Sequence, residues 1–430
     1  MPRSLILICC SLLPLLGACA STVKQHEPAR PPASRISVEE GKKKQQALER
    51  ARRRAQVDAI TKVVAEVRGL RLKRQLKVGW IGAKDVKAKA RQAIERELGQ
   101  AYLDGYTEAF SRLGLLPTGY PYVEAMLEIL GEQVAGYYDP DAQELFVRHD
   151  MPADEIVLAH EIAHALQDQH FNLKKLQGDV KLNEDRNFAV TALIEGDATQ
   201  VMESYMVKTL NMWRAVKLLG SALRLATMDN AKLDAAPLFI QEGMMRPYLD
   251  GWALVKRLRA LGGQAATDRA FKRPPVSSEQ VLHPEKYLAQ EAPVEVLAPD
   301  LGPALGPGWA VVHENSLGEF GVSMILRQAR LPAKVIGPAA RGWGGDRFRM
   351  YGHQASGRKV LLWKTAWDSV QDAGEFVEAY RAAVGGAAQA SATGQIRRER
   401  RLIRWRWRGK QVEILDADIT DEEATRLLGP

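Results

Sequence analysis

His160-Glu161-Ile162-Ala163-His164 sets two imidazoles four residues apart with a carboxylate beside the first. On a helix, residues four apart share a face, so the two rings can grip one metal ion while Glu161 sits next to it as a base. Neutral imidazole nitrogen suits zinc, and a catalytic zinc keeps one position open for a water whose pKa falls to roughly 7. Ile156-Val157-Leu158-Ala159 ahead of the pentad, and Ala163, Ala165 and Leu166 within and after it, describe a buried helix. Unpaired polar groups in such a core cost several kcal/mol, which favours a metal site over a pair of hydrogen-bonded core histidines.

A zinc enzyme of this kind needs a third protein ligand, and two residues compete for the place. With His170, the spacing His160-Glu161-x-x-His164-x-x-Gln167-x-x-His170 nearly reproduces the metzincin pattern, where a glycine at the fourth place breaks the helix and turns the chain back to the metal. Gln167 stands at that place here and is a good helix former. If the helix continues through it, His170 is rotated about 240° from His164 and faces away from the ion. The second candidate is Glu195, within Ala192-Leu193-Ile194-Glu195-Gly196-Asp197-Ala198, on a helix expected from about Arg186 to Met206. A glutamate on an apolar helix, followed by a glycine that allows close backbone approach, suits a ligand delivered by a neighbouring helix.

The pentad followed by Leu193-x-Glu195-Gly196-x-Ala198 resembles the gluzincin metallopeptidases. The resemblance implies a Zn2+ site of His160, His164 and Glu195, with Glu161 activating the water. Pro247-Tyr248-Leu249-Asp250-Gly251 resembles the P-Y-x-x-G helix of aminopeptidase-type gluzincins, which implies that the Tyr248 hydroxyl stabilises the oxyanion. A proline at a helix start with a tyrosine in the first turn is compatible with a donor near developing negative charge. Many gluzincins carry an acid that orients a ligating histidine four residues after the glutamate ligand; that place is Thr199, the nearby acid is Asp197, and the group that orients His160 or His164 is left open. The exopeptidase recognition motif is not evident upstream. Gly136-Tyr137-Tyr138-Asp139-Pro140, the run His164 to His170, and Leu282-His283-Pro284-Glu285-Lys286-Tyr287 are similar to a group of uncharacterised bacterial zinc-peptidase lipoproteins.

At the amino terminus, Arg3, an apolar run from Leu5 to Leu16 and Leu16-Gly17-Ala18-Cys19 match a lipobox. The run is too short for an ordinary membrane span, so residues 1–18 read as a cleaved lipoprotein signal and Cys19 as the lipidated first residue. This implies the cell envelope, and the outer membrane if the host is Gram-negative, since no aspartate follows Cys19. Residues 19–36, with Pro28, Pro31 and Pro32, read as a tether. The chain's three cysteines are Cys9, Cys10 and Cys19, so the folded part is expected to rely on its core, without disulfides or cysteine ligands.

The fold expected is α+β. Residues 37–290 form a mainly helical, gluzincin-like zinc-peptidase domain with a small edge-strand sheet, and residues 291–430 a smaller α+β domain. Ser37 and Glu40 suggest a capping box opening a basic helix through Val67, with Val57, Ile60, Val64 and Val67 as its buried stripe. Leu76, Val78 and Trp80 alternate as in a strand, and Val86 to Leu113 reads as helical. Val134 to Tyr138 and Glu144 to Arg148 read as a hairpin whose edge could take up a peptide as an added strand. Trp343-Gly344-Gly345-Asp346-Arg347 reads as a structural turn. Val360 to Trp363 and Leu402 to Trp407 suggest strands around a helix from Ala373 to Val384, with Trp405 and Trp407 facing in and the neighbouring arginines out. The formal charge of +8 suits anionic envelope surfaces, and no nucleic-acid motif is present.

The chain therefore reads as a membrane-tethered zinc metallopeptidase acting on a peptide or protein. Two readings compete: a metzincin-like protease that uses His170, and a non-catalytic zinc-binding envelope lipoprotein. His283 and His313 are further candidates to line the pocket, although a helix cap or a loop hydrogen bond accounts for either.

Overall fold

A computed structural model describes residues 35–151, 154–178, 181, 183–210, 231–386 and 392–428. The signal peptide, Cys19 and nearly all of the tether lie outside them. α1 (Arg35–Arg68), β1 (Lys77–Ile81), α2 (Ala83–Glu97), α3 (Gln100–Arg112) and α4 (Tyr122–Gln133) precede the hairpin β2 (Gly136–Asp139) and β3 (Glu144–Arg148). Next come α5 (Glu155–Phe171), α6 (Leu173–Gln177), α7 (Glu184–Thr209), α8 (Ala231–Asp234), α9 (Leu238–Lys272), α10 (Ser278–Leu282), α11 (Pro284–Ala289) and α12 (Gly302–Leu305). The carboxyl-terminal part is β4 (Trp309–Asn315), α13 (Gly318–Gln328), α14 (Ala333–Arg341), β5 (Trp343–His353), β6 (Lys359–Trp367), α15 (Val370–Ala383), β7 (Thr393–Arg398), β8 (Arg401–Arg408), β9 (Gln411–Ala417) and α16 (Asp421–Leu428). The fold is α+β.

α5 is the axis of the helical part. Every residue from Leu158 to Asp168 is buried, as expected of a helix that neighbours enclose on all sides. Asp154 caps its start by accepting from the Ile156 N–H, and Asn172 in the left-handed conformation ends it. α7 lies against α5 and α9 against α7, and the second contact is made backbone to backbone. A methyl group on Gly196 would stand 2.1 Å from the Gly251 carbonyl carbon, and one on Gly251 1.8 Å from the Ala192 oxygen. Glycine at both positions is what lets the two helices approach this closely. α9 breaks at Gly262 and Gly263, the latter with a φ of 58°, and resumes to Lys272.

The hairpin forms where the sequence places it, antiparallel with Tyr138 opposite Leu145, and β1 adds to β3 in parallel to give the order β1-β3-β2. The second sheet is antiparallel, in the order β4-β5-β6-β9-β8-β7. One buried apolar cluster runs from Val86 and Phe110 through Leu193 and Leu254 to Phe348, Trp363 and Ile414, so the carboxyl-terminal part shares a core with the helices. At the joint, the buried Asp346 carboxylate accepts from the N–H groups of Leu317 and Gly318 and from the indoles of Trp343 and Trp363.

Three local expectations need correction. Trp343 to Arg347 is the start of strand β5, carrying a bulge between Trp343 and Gly345 where it pairs with β6, because Trp343 and Asp346 point into the core. Pro247 lies in the interior of α9, so Tyr248 is not in a first turn. α1 is already helical at Arg35, which places Ser37 inside it. Trp405 is buried and Trp407 half-buried, while Arg404 and Arg406 pair with Gln395 and Glu413.

His313 on β4 is enclosed by the rings of Tyr102, Tyr106, Phe110 and Phe348, with its Nε2 atom buried and lacking a hydrogen-bond partner among the described residues. Burial, helped by the Arg347 charge and opposed by Glu314, pushes it down to about 4 from an ordinary 6.5. Below pH 6.5 the unfolded chain therefore takes up this proton before the folded one, and stability falls until the pH nears 4. Between pH 7 and 4.5 the His313→Phe protein should lose about 2–3 kcal/mol less stability than wild type in urea titrations. Equal losses would show that the ring is not held neutral.

Candidate metal centre

Three donor atoms converge between α5 and α7. His160 Nε2 and His164 Nε2 lie 3.1 Å apart, and Glu195 Oε2 is 3.1 Å from the first and 3.4 Å from the second. Tetrahedral ligands held about 2.0–2.1 Å from a zinc ion are themselves about 3.3 Å apart, so this donor set fits zinc in both chemistry and spacing. The helical repeat supplies the two imidazoles from one face of α5. The Gly196–Gly251 contact seats α7 closely against α9, the helix that carries Tyr248.

A buried relay sets the tautomer of His164. Its Nδ1 atom is 2.9 Å from Gln167 Oε1, and Gln167 Nε2 donates to the Ile194 carbonyl at 3.0 Å and to Asp197 Oδ2 at 2.9 Å. Those two acceptors orient the amide so that its oxygen takes the Nδ1 proton, and Nε2 faces Glu195. Asp197 Oδ2 also accepts from Arg68 Nε at 2.7 Å, and Arg68 Nη1 donates to Asp268 at 2.8 Å. The Arg68 guanidinium lies near the rings of Phe171 and Phe271. The question left open between Thr199 and Asp197 is thus answered geometrically: Asp197 reaches His164 through Gln167.

Glu161 accepts from the Tyr138 N–H of β2 through Oε2 at 3.0 Å, while Oε1 is buried with no partner among the described residues. Tyr248 on α9 sets its ring 5.9 Å from that of His160 at an interplanar angle of 29°. None of these five side chains exposes more than 3 % of its surface. Burial pushes Glu161 up to about 8, partly opposed by His164 and by the Tyr138 N–H. Burial also works against charge on Glu195, yet the two imidazoles outweigh it and hold that carboxylate well below its usual range. On His160 burial prevails and lowers its proton affinity. Against burial, Glu195 pushes His164 up to about 9, so a protonated imidazole supplies the positive charge beside the carboxylate that a metal ion would take over.

His160, Glu161, His164, Glu195 and Tyr248 are brought together; His170 is not. α5 continues past Gln167, and His170 Nε2 bonds to the Arg71 carbonyl at 2.8 Å. His283 pairs with Glu319 at 2.9 Å, and His313 sits in its aromatic cage. A second acidic group, Glu279, Glu291 and Asp368, surrounds the Lys286 ammonium, which fills the place of a cation. Two residues escape sequence reading. Gln167, three residues after His164 and hence on its face, offers a signal in its spacing, whereas Arg68 offers none.

A family model described as a domain of unknown function (DUF8575) matches residues 309–427, from β4 to α16 and outside the five-residue cluster. No curated protein and no solved structure matches the chain.

Proposed function

We propose that this chain is a gluzincin-type zinc metallopeptidase of the cell envelope, tethered to a membrane through lipidated Cys19. The observation that carries the reading is the convergence of His160, His164 and Glu195 beside Glu161, whose second oxygen is buried with no partner among the described residues. When bound there, zinc supplies Lewis acidity and an acidified water. Glu161 Oε1 takes a proton from the attacking water and passes it to the leaving amine, so that water is added across the peptide bond. Tyr248 donates its hydroxyl hydrogen bond to the carbonyl oxygen as negative charge develops on it. Gln167 keeps His164 in the tautomer that presents Nε2.

Two features bear on access. The five side chains are enclosed, so a peptide reaches them only when surrounding chain moves. β2 is an edge strand, and the pairing of the Arg148 N–H with the Ala135 carbonyl turns the Tyr138 N–H away from β3, toward Glu161. A peptide adding to this edge would compete with Glu161 for that donor.

The test is zinc content and cleavage of a peptide library by purified protein. Wild type should bind one zinc and cut peptides, chelation should abolish cutting, and Glu195→Ala should lose metal while His170→Ala retains it. Loss of zinc in His170→Ala alone would favour the metzincin-like alternative, and zinc without any cleavage the non-catalytic one. The Cys19→Ser chain should leave the membrane fraction; if it stays, the anchor lies elsewhere.

A further inference from the structure

We propose that one face of the carboxyl-terminal sheet docks on an anionic lipid bilayer through a row of lysine and arginine side chains. Alternate residues of a strand point to opposite faces, and residues paired across strands share one. Arg347 of β5, Lys364 of β6, Glu413 of β9 and Arg406 of β8 are consecutive cross-strand partners, so they form one line across four neighbouring strands. Arg349, Arg404 and Arg408 stand two residues along from members of that line and share its face. On the opposite face Phe348, Trp363, Ile414 and Trp405 are buried, with Trp363 against Phe376 and Tyr380 of α15. On the charged face α16 covers Leu402, Leu415 and Ala417, and Arg406 bonds to the carbonyl of Leu428 at the end of that helix. The row thus begins where the cover stops: its side chains are half-buried by one another, and Arg408 is exposed.

Positive charge is in surplus here. Lys364 and Arg406 share the one carboxylate of Glu413, and Arg347 and Arg349 share that of Glu314. Arg404 bonds to neutral partners, the Gln395 amide and the Thr425 hydroxyl. The acids Asp421, Glu422 and Glu423 stand in the first turn of α16, at its far end from the row. Arg347 lies directly opposite Lys364, a pairing of like charges that destabilises a sheet. Cations often guard an edge strand against pairing, but β5, β6 and β8 are interior strands, so that account does not reach them. Such a face matches phosphate-bearing headgroups, whose negative surface potential attracts each lysine or arginine. Aliphatic side chains stand beside the row. The Val294 N–H donates to the Gly344 carbonyl at 2.7 Å, and a methyl group on Gly345 would come within 2.3 Å of the Val294 oxygen. Gly345 shares the face of Arg347, so this segment crosses the face next to the row, and it leaves Val294 56 % and Leu297 73 % exposed. The segment adds one carboxylate, Glu295, and the surplus stays positive. Cations beside exposed aliphatic groups suit the boundary between headgroups and acyl chains, which a nucleic acid or a free phosphate does not offer. The docking face needs neither the metal cluster nor lipidated Cys19.

The experiment is co-sedimentation of the mature chain carrying Cys19→Ser, which has no lipid of its own, with two kinds of vesicle. One is phosphatidylcholine alone, the other phosphatidylcholine and phosphatidylglycerol at about three to one. The chain should bind the anionic vesicles and not the neutral ones, with affinity falling as salt rises. Replacing Lys364, Arg404 and Arg408 together by glutamine should weaken binding by about 30–100-fold, the joint effect of three charges near such a surface. Leu297→Ser should weaken it by a smaller factor. An equal loss of charge from exposed positions on α1, with Lys44, Arg50 and Arg52 changed to glutamine, should leave affinity within about twofold. Equal weakening by the α1 changes would make net charge the cause and overturn the proposal. Equal binding to neutral vesicles, full binding by the sheet variant, or sheet-dependent binding of duplex DNA in place of vesicles would also overturn it. If the triple sheet variant melts well below its parent, Arg408→Glu at the exposed end of the row takes its place. About a tenfold loss is then expected, and undiminished binding rejects the docking face.

Discussion

The Glu161→Gln protein is expected to keep its zinc while peptide cleavage falls by about 10²–10⁴-fold, the range that general acid–base catalysis contributes. Glutamine preserves the shape of the side chain and an oxygen to accept the Tyr138 N–H, so β2 and α5 stay in register. It cannot take a proton and return it to the leaving amine. Stability should not fall, because burial already penalises charge on this carboxylate and the neutral amide escapes that penalty. The informative result is this separation of zinc content and melting temperature from rate. Undiminished cleavage would move the base elsewhere, and lost zinc would make Glu161 a ligand.

Arg68→Met is expected to lower stability by about 3–5 kcal/mol, because it leaves the buried Asp197 carboxylate without its cation. The same change should weaken zinc binding by about 10–100-fold, the usual cost of disturbing a partner that orients a ligand. Without Arg68 the Asp197 carboxylate is no longer held at the place where it accepts from Gln167, which weakens the support of the His164 tautomer. Urea unfolding of the metal-free protein and chelator competition measure the two effects separately. Arg68→Lys should not restore them, since one ammonium cannot reproduce the fork that meets Asp197 and Asp268 together. In the Arg68→Met/Asp197→Asn pair the second change should cost little more, because the orphaned charge is gone. Wild-type zinc affinity in Arg68→Met would remove the relay from the metal centre.

Much of the centre was legible because it lies within single helices. Two histidines four apart face one way in any α-helix, and Gln167 in place of glycine already argued that the helix runs on and carries His170 away, as it does. The hairpin before α5 and the strands around residues 360 and 405 followed from alternation and turn residues. The turn reading of Trp343 to Arg347 failed because its glycines sit in a strand, where Gly345 leaves room for the Val294 backbone. Pro247 misled in the same way. A proline usually marks a helix start, but here the helix begins at Leu238 and accommodates it.

By itself the sequence determined which side chains share a helix face: His160 with His164, the apolar surround of Glu195, and the glycine that follows it. Those relations depend only on a repeat of 3.6 residues per turn. The tertiary structure alone decided that Glu195 meets those histidines, that Gln167 orients one of them, and that Arg68, 129 residues before Asp197, neutralises the acid behind it. A buried charge takes whichever partner the packing of separate helices brings within about 3 Å, and no local periodicity encodes that distance.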